Sequence, residues 1–414
     1  MGIWLLIGLL LAVTALGVLE YRLHRSALEK IPIRVHVNGT RGKSSVTRLI
    51  AAGLRAHGVV TCAKTTGTLA RMILPDGREL PVFRPAGANI IEQKRIVATA
   101  TEFGAQALVI ECMAVTPELQ SISESKLLSA THGVITNARP DHLDVMGPTS
   151  REVALALSGM VPVRGKLFTA ERDHLAIIEA AAKDRGTELI PVSPEAVAAV
   201  SPDDLAGFRY TEHPDNVALA LAVCADLGVP RRVALLGMQH ATPDPGALTV
   251  HRVSFFGRTL VFFNAFAAND PVSTQKLWRL AIDATPEVRT RIAILNCRAD
   301  RPDRSLQLGA EIATWDPPDH IVLMGSGTYL FAREAAKRGY DAARLLFVEG
   351  LGVEEIFERI VALVGKSALL VGMGNIGGQG LELARYFRNR AEPEPDDDDE
   401  PRESIPPSRV ESAS

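Results

Sequence analysis

Short apolar runs alternate with longer amphipathic segments along most of this chain, and the alternation begins at residue 33. We predict strands from the apolar runs at residues 33–37, 59–63, 107–110, 133–136 and 167–169. We predict helices from the segments at residues 44–57, 90–101, 148–160 and 214–227. Because strands that alternate with helices are typical of βαβ units, the pattern predicts a parallel sheet covered by helices on both faces.

The same alternation resumes at about residue 247, after a Pro-Asp-Pro-Gly turn that is a candidate joint between domains. The later apolar runs that predict strands lie at residues 260–263, 291–295, 320–324, 345–348 and 367–371. We therefore predict an α/β protein with one domain at 31–245 and a second, smaller one at 246–390. Residues 391–414 are rich in Pro, Asp, Glu and Ser, so we predict a disordered acidic tail.

The N-terminal segment differs from the rest because residues 3–19 are almost entirely apolar. A membrane-spanning helix needs about 17 to 25 such residues, so this run lies at the short limit. A signal peptide is the competing interpretation, but no basic residue precedes the run and no small-residue cleavage site ends it cleanly. We predict a single-pass anchor over residues 1–30. Arg22, Arg25, Lys30 and Arg34 follow the run, so the remaining domains are expected in the cytoplasm.

Composition excludes several other classes of protein. The formal net charge of −3 gives no signal for nucleic-acid binding. The four cysteines, at positions 62, 112, 224 and 297, have no Cys-x-x-Cys spacing. This argues against a zinc ribbon or a disulfide framework and fits a reducing compartment.

A phosphate-binding loop is the clearest chemical motif. Residues 39–44 read Gly-Thr-Arg-Gly-Lys-Ser between a predicted strand and a predicted helix. Glycines let backbone N–H groups approach phosphate oxygens, Lys43 adds a positive charge, and the Ser44 hydroxyl can bind Mg²⁺. The full P-loop pattern has a further Gly where this chain has Val37, so the loop is a shortened variant. The motif predicts a P-loop-type ATPase domain.

Polar residues lie at the ends of three further predicted elements. Glu111 ends one predicted strand, and a segment with Asn137, Asp141 and His142 follows the next. Ligands of open α/β sheets bind at the carboxyl ends of the strands, so these groups are candidates for a metal or nucleotide site. Asn216 begins an Ala-rich helix, where binding and helix capping explain it equally well.

The order of these motifs resembles that of the Mur ligase superfamily, which includes the peptidoglycan Mur ligases and folylpolyglutamate synthase. The resemblance covers about residues 33–380 and includes the Asn-Ala-Phe-Ala-Ala-Asn segment at 264–269. The anchor and the motifs Lys-Thr-Thr-Gly-Thr at 64–68, Asn-Cys-Arg-Ala-Asp-Arg at 296–301 and Val-Gly-Met-Gly-Asn-Ile-Gly at 371–377 make it more specific. With them, the chain resembles the membrane-anchored ligase subunits of poly-γ-glutamate synthases.

This resemblance implies an ATP-dependent amide ligase that uses Mg²⁺ and forms an acyl phosphate. The expected substrates are glutamate and the growing poly-γ-glutamate chain. The expected partners are other membrane subunits of a polymer synthase and export complex, and the sequence leaves a homo-oligomer open. The residues expected to bind ATP are Gly39, Thr40, Arg41, Gly42, Lys43, Ser44, Ser45 and Asn216. The expected catalytic residues are Lys43, Glu111 and His142, and the expected metal ligands are Ser44, Glu111 and His142.

Guanidinium groups suit carboxylate binding, and several Arg residues cluster after one predicted strand of the second domain. The candidates for binding glutamate are Arg298, Arg301, Arg304 and Asn269. The chain also departs from the superfamily, because residues 153–163 hold no Lys for carbamylation and Lys166 falls too late. Ala247, Asn264 and Ala268 replace the superfamily's Arg, Asp and His.

Two alternative functions remain open at this point. One is a Mur-like or folylpolyglutamate-like ligase that acts on another acid. The other is a nucleotide-switched membrane assembly ATPase. The short distance between the anchor and the phosphate loop leaves no room for a Mur-type N-terminal substrate domain, which weighs against the first alternative.

Overall fold

The computed structural model describes residues 2–67, 69–84, 87–208, 210–244, 246–268 and 270–392. Thr68 of the Lys-Thr-Thr-Gly-Thr motif, the candidate residue Asn269 and the predicted tail from residue 393 onward lie outside these residues. The chain divides into two compact units, Met1–Ala247 and Leu248–Ser414.

The first unit is built on an eight-stranded sheet with strand order β4-β3-β2-β5-β1-β6-β7-β8. Its strands are β1 Ile33–Asn38, β2 Thr61–Thr65, β3 Arg71–Ile73, β4 Glu79–Pro81, β5 Ala107–Glu111, β6 His132–Ile135, β7 Lys166–Thr169 and β8 Glu188–Pro191. The prediction of a parallel sheet is confirmed for six strands, but β3 and β4 are antiparallel. The link from β2 to β3 is too short for a crossover helix, so the chain turns back as a hairpin.

Helices cover both faces of this sheet. They are α1 Gly2–Glu29, α2 Lys43–Ala56, α3 Glu92–Glu102, α4 Pro117–Ile122, α5 Leu143–Met146, α6 Ser150–Leu157, α7 Leu175–Asp184, α8 Pro194–Ala198, α9 Pro202–Ala206, α10 Pro214–Asp226 and α11 Arg231–Gln239. A π-helix, Ser123–Leu128, continues α4. Glycines allow close packing around α2: a Cβ on Gly53 would lie 2.8 Å from the Cys224 sulfur of α10, and one on Gly237 of α11 would lie 2.6 Å from the Ala52 carbonyl oxygen.

Helix α1 is long and apolar enough to cross a membrane. The candidate span, Ile3–Glu29, has a mean hydropathy of 2.3, and its most apolar stretch is not buried within the protein. The helix therefore extends ten residues beyond the predicted run, since no residue after position 19 breaks it. Its last turn joins the folded unit, because Leu28 and the following Ile31 are buried in a core cluster with α3 and β5.

The second unit is a six-stranded sheet with strand order β13-β12-β11-β14-β10-β9 and a hydrophobic core on each face. Its strands are β9 Thr249–Phe255, β10 Arg258–Asn264, β11 Thr290–Cys297, β12 His320–Gly325, β13 Leu345–Phe347 and β14 Ser367–Met373. Its helices are α12 Pro271–Asp283, α13 Pro302–Glu311, α14 Tyr329–Lys337, α15 Val353–Ala362 and α16 Gln379–Arg388. The unpredicted strand β9 is antiparallel to β10 across a two-residue turn in which Phe256 and Gly257 both have positive φ.

Candidate active site

The phosphate loop lies between β1 and α2, as the sequence predicts, and its glycines have left-handed backbone conformations. Gly39 has φ +132° and Gly42 has φ +81°. A Cβ on Gly39 would lie 2.0 Å from the Thr136 hydroxyl, so only Gly fits there. Gly42 precedes the first residue of α2 and has no side chain to cap it. The N–H groups of this helix terminus therefore remain suited to an anion.

The segment after β6 fixes the conformation of this loop. The Asn137 side chain accepts hydrogen bonds from the Thr40 hydroxyl at 2.7 Å and the Arg41 N–H at 3.1 Å. It also donates to the Arg41 carbonyl at 3.1 Å, and the Thr136 hydroxyl donates to the same carbonyl at 2.6 Å. Since β6 pairs directly with β1, the sheet itself brings Asn137 to the loop. The loop is thus held in shape by the protein alone.

Lys43 and Ser44 begin α2 and take up different positions. The Lys43 ammonium donates to the Gly39 carbonyl at 2.7 Å, so its charge lies across the loop. The Ser44 hydroxyl points to the neighbouring strand and donates to the Glu111 carboxylate at 2.8 Å. Ser45 is the next residue of the same turn and is partly buried. The candidate phosphate and metal groups therefore meet where β1 and β5 end.

The surroundings of Ser44 fit a divalent cation. Glu111 is only 2% exposed and also accepts the Thr66 N–H at 2.6 Å. A Cβ on Gly67 would lie 2.9 Å from the Ser44 hydroxyl and 3.6 Å from an oxygen of Asp244. That Asp244 oxygen is buried and has no hydrogen-bond partner among the described residues. Magnesium sites at nucleotides commonly use one or two carboxylates together with phosphates and water, and this donor set matches that pattern.

Asp244 is not among the residues predicted from the sequence, because it lies in the Pro-Asp-Pro-Gly turn and in no recognisable motif. The Arg48 guanidinium on α2 lies 3.9 Å from its carboxylate. Burial raises the pKa of the Asp244 carboxyl, and Arg48 opposes that shift. No sequence signal marks this residue, because only the packing of the turn against α2 brings it near Ser44.

One cavity, of about 240 Å³, lies on the Lys43 side of the loop, and we call it the Lys43 cavity. Glu111, Asp141 and His142 line it together with Lys43. His142 has φ 47° and directly precedes the short helix α5. The structure thus brings the three predicted catalytic residues to one cavity. Among the described residues, no group of three or more His, Cys, Asp or Glu side chains is arranged to hold a metal by itself.

A second cavity, of about 450 Å³, lies on the other side of the loop and is called the Asn216 cavity. Arg41, Gly42 and Asn216 line it. Asn216 does not cap its helix, because His213 occupies the cap position and accepts the Asp215 N–H. Instead, a Cβ on Gly42 would lie 2.5 Å from the Asn216 side-chain oxygen. The packing thus favours a role at the loop over the capping role.

A buried ionic cluster borders the Lys43 cavity. Its members are separated in sequence, and no sequence motif predicts that they meet. Glu92 forms ion pairs with Lys64 and Arg84, each at 2.7 Å. Burial lowers the pKa of the Lys64 ammonium, while Glu92 opposes that shift. Burial would raise the pKa of Glu92, but its two cationic partners lower it.

Lys166, which falls too late in the sequence to replace the superfamily's carbamylated lysine, is the first residue of β7. It therefore lies at the end of that strand away from the phosphate loop, and it pairs with Asp226.

In the second unit, two of the three candidate arginines converge on the turn after β14. A Cβ on Gly377 would lie 2.8 Å from the Arg298 guanidinium, which also forms an ion pair with Asp300. Arg304 donates to the Asn375 side chain at 2.7 Å. Arg301 lies at the exposed start of α13. The glycine-rich segment at 372–377 includes the end of β14 and leads into the turn before α16.

Solved structures with a similar fold include FolC and folylpolyglutamate synthase enzymes. The E.coli FolC complex with DHPP and ADP aligns with a TM-score of 0.63 and 16% identity, over 89% of this chain and 92% of that one. The bifunctional folylpolyglutamate synthase/dihydrofolate synthase of Yersinia pestis, complexed with AMPPNP and Mn ion, aligns with a TM-score of 0.63 and 14% identity, over 88% and 90%. At these identities the likeness shows the fold.

Sequence comparisons are more specific. Residues 37–241 match the Mur ligase middle domain, and residues 250–390 match the Poly-gamma-glutamate synthase CapB C-terminal domain. The Capsule biosynthesis protein CapB of Bacillus anthracis is 38% identical over 89% of this chain and 79% of its own length. The PGA synthase CapB of Bacillus subtilis (strain 168) is 37% identical over 92% and 96%. This chain therefore belongs to the CapB family, whose central domain is that of the Mur ligases.

Proposed function

We propose that this protein is an ATP-dependent amide ligase that polymerises glutamate into poly-γ-glutamate through an acyl phosphate. The observation that carries the proposal is the joint placement of Lys43, Ser44 and Glu111 around a preformed phosphate loop. The CapB relatives bear the names of a capsule biosynthesis protein and a PGA synthase, which supports glutamate as the substrate.

The phosphate loop performs the first half of this reaction. Backbone N–H groups of Gly42, Lys43 and Ser44 and the Lys43 ammonium hold the β- and γ-phosphates and stabilise the charge on the transferring phosphoryl group. Ser44 and Glu111 would hold Mg²⁺, with His142 at the same cavity. The bound cation would neutralise phosphate charge. The Asn216 cavity, at the opposite side of the loop, has a suitable size for the adenosine.

The complete reaction needs two glutamate groups in position. A carboxylate oxygen attacks the γ-phosphorus of ATP, and ADP leaves. The amino group of the other substrate, once deprotonated, attacks the acyl carbon, and phosphate leaves with the carboxylate oxygen. We propose that Arg298, Arg301 and Arg304 bind substrate carboxylates, since guanidinium groups form paired hydrogen bonds with them.

We also propose how the protein is organised in the cell. Residues 1–30 form a single-pass anchor in the cell membrane, with the ATP-binding domain (31–245) and the ligase domain (246–390) in the cytoplasm. The basic residues that follow the span support this orientation. The expected partners are further membrane subunits that export the anionic polymer.

An isotope-transfer experiment tests the proposed chemistry. Membranes containing the full-length protein receive ATP, Mg²⁺ and glutamate with heavy oxygen in its γ-carboxylate, and mass spectrometry follows the label. We expect label in the released phosphate and a γ-linked polymer. In Lys43→Ala, turnover should fall by about 10²-fold or more, because charge stabilisation is lost. Lys183→Ala, which changes an exposed lysine of α7, is the matched control.

Other outcomes would contradict the proposal in different ways. Label in AMP would mean adenylation instead of phosphorylation. ADP release that does not depend on glutamate would favour a nucleotide-switched assembly protein. Transfer of label from another acid, with none from glutamate, would favour a ligase for that acid.

A further inference from the structure

Helix α3 packs beside α1 in a parallel arrangement with a fixed register. Lys94 forms an ion pair with Glu20 at 2.7 Å, and the Thr101 hydroxyl donates to the Ala27 carbonyl at 3.4 Å. Both contacts join residues that are 74 positions apart. Two helical turns further along α1, the contacting residue lies equally far along α3. The two helices therefore run in the same direction. The N-terminus of α3 therefore points along α1 toward the apolar span.

The residues at that end of α3 expose apolar side chains. Ile91, directly before α3, is 59% exposed, and the constant offset places it level with Gly17 of α1. Phe83 is 74% exposed, and its carbonyl accepts a hydrogen bond from Arg95 of α3 at 3.2 Å. Exposed apolar residues of α1 continue from Ile3 as far as Leu23. Phe83 and Ile91 therefore lie beside the last turns of the exposed apolar part of α1.

We propose that Phe83 and Ile91, with Lys94 and Arg95, form a second membrane contact, which we call the α3 collar. The collar binds the anionic leaflet that α1 enters, with its two apolar side chains among the parts of the acyl chains next to the headgroups and its cations at the headgroups. This inference rests on the proposal that α1 spans the membrane.

The charges at this level fit a lipid surface. An unpaired acidic group at the edge of a membrane span is unfavourable, and Lys94 neutralises Glu20 there. Arg22 and Arg25 of α1 and Arg95 of α3 are exposed around the same level. Basic residues close to anionic lipid are attracted by its negative surface potential. Large apolar side chains flanked by cations are typical of surfaces that lie in a membrane interface.

The collar is directly connected to the Lys43 cavity. Arg84 follows Phe83 in sequence, but its side chain turns inward to Glu92, the first residue of α3. Arg84 and Ala88 both line the cavity. Arg84 and Ala88, which are close to the collar in sequence, thus form part of one wall of the proposed catalytic cavity, so membrane contact would fix that wall relative to the bilayer.

Site-specific fluorescence tests the proposal on the full-length protein. The four native cysteines are buried, so single cysteines introduced at exposed positions can be labelled selectively with a polarity-sensitive dye. The variants are Phe83→Cys and Ile91→Cys in the collar, Leu10→Cys in the span, and Phe256→Cys in the second unit. Phe256 is 91% exposed and serves as the matched aqueous control. Each protein is reconstituted in vesicles of phosphatidylcholine and phosphatidylglycerol that contain lipids with a quencher at a known depth.

We expect dyes at positions 83 and 91 to shift to shorter wavelength and to be quenched by shallow quenchers. Position 10 should respond to deep quenchers, and position 256 to neither. If positions 83 and 91 behave like 256 while position 10 is quenched, the collar is wrong and the span stands. If position 10 is not quenched either, the span proposal fails and the collar fails with it.

Discussion

Glu111 ends β5 and Ser44 lies in the first turn of α2, and the fold brings the two side chains together. One carboxylate oxygen of Glu111 accepts both the Ser44 hydroxyl and the Thr66 N–H. In this state the two side chains of the proposed metal site hold each other in position. A cation that binds here would replace the serine's hydrogen bond with a shared coordination contact, so the pair is already oriented for it.

At this scale we predict a change in metal dependence. Glu111→Gln removes a negative ligand, and His142→Ala removes its neighbour at the Lys43 cavity. Both variants should need more Mg²⁺ for half-maximal activity, with an increase of about 10-fold or more for Glu111→Gln. Titration of ATP-dependent polymer synthesis with Mg²⁺ measures this. Glu118→Gln, on the exposed face of α4, is the control. Wild-type curves for both variants would show that these residues are not at the metal.

Gly42 of the phosphate loop is constrained both by its backbone conformation and by the close approach of helix α10. Gly42 and Gly58 have nearly the same backbone conformation, with φ +81° and +85°. A Cβ on Gly42 would meet Asn216 of α10, whereas one on Gly58 would meet nothing within 4 Å. The two positions therefore share backbone strain but differ in the contact with α10.

This pair provides a prediction about the loop. Gly42→Ala and Gly58→Ala should each lose roughly 1–2 kcal/mol of stability through left-handed strain. Only Gly42→Ala should weaken ATP binding, by about tenfold or more, because its methyl group pushes Asn216 away from the loop. Nucleotide titration and thermal unfolding of both variants measure the two effects. Equal ATP affinity in the two variants would contradict the assignment of the loop.

Strand β1, in the middle of the eight-stranded sheet, carries a buried charge. His36 of β1 is fully buried and contacts Glu124 of the π-helix at 2.7 Å. Burial would lower the pKa of His36, but Cys112 and Glu124 raise it to about 10. The folded protein therefore holds a proton on His36 that an unfolded chain releases near pH 6.5. This interaction contributes its full stability below about pH 6.5 and loses it as pH rises toward 10.

From this shift we predict that the temperature of the unfolding midpoint of the solubilised wild type decreases as the pH is raised from 7 to 10. The slope from this group is at most about 1.4 kcal/mol per pH unit. Glu124→Gln removes one of the two groups that raise the pKa of His36, so the midpoint should be lower at pH 7 and should vary less with pH. Thermal unfolding followed over this pH range measures the difference. Parallel profiles for the two proteins would mean that His36 is not charged in the fold.

At the scale of the whole molecule, the proposed membrane anchor is attached to the first unit through the last turns of helix α1. Helix α1 is not a flexible tether, because His24 contacts the Leu127 carbonyl at 2.8 Å and Leu28 lies in the core. Its apolar first part has no comparable contacts within the described residues. The contacts with the folded unit and the candidate membrane span therefore lie in different parts of one helix.

Removal of residues 1–19 should separate these two roles. We expect a soluble protein that binds ATP with unchanged affinity, because Glu20, His24 and Leu28 keep their contacts. Polymer output in cells should fall strongly, because the anchor confines the protein beside its membrane partners and raises their effective concentration. Nucleotide titration and quantification of exported polymer measure the two effects. Wild-type output from the truncated protein would contradict the proposed partners.

The sequence alone determined the features that depend on local chemistry. The phosphate loop was predictable because strand, glycine-rich turn and helix occur within about 25 consecutive residues, where spacing encodes geometry. The apolar span and most strands were predictable because periodicity and composition are local properties. Glu111 and Asn137 were found because parallel strands end at the same edge of a sheet.

Only the tertiary structure decided which distant side chains meet. Asn216 reaches Gly42, Asp244 approaches Ser44, and Lys64 shares Glu92 with Arg84 through packing between separate elements. The antiparallel edge strands and the register of α3 along α1 were equally hidden, because short β segments and helix pairing carry little sequence signal. The physical reason is that these contacts depend on the free energy of packing the whole unit, and no single segment encodes it.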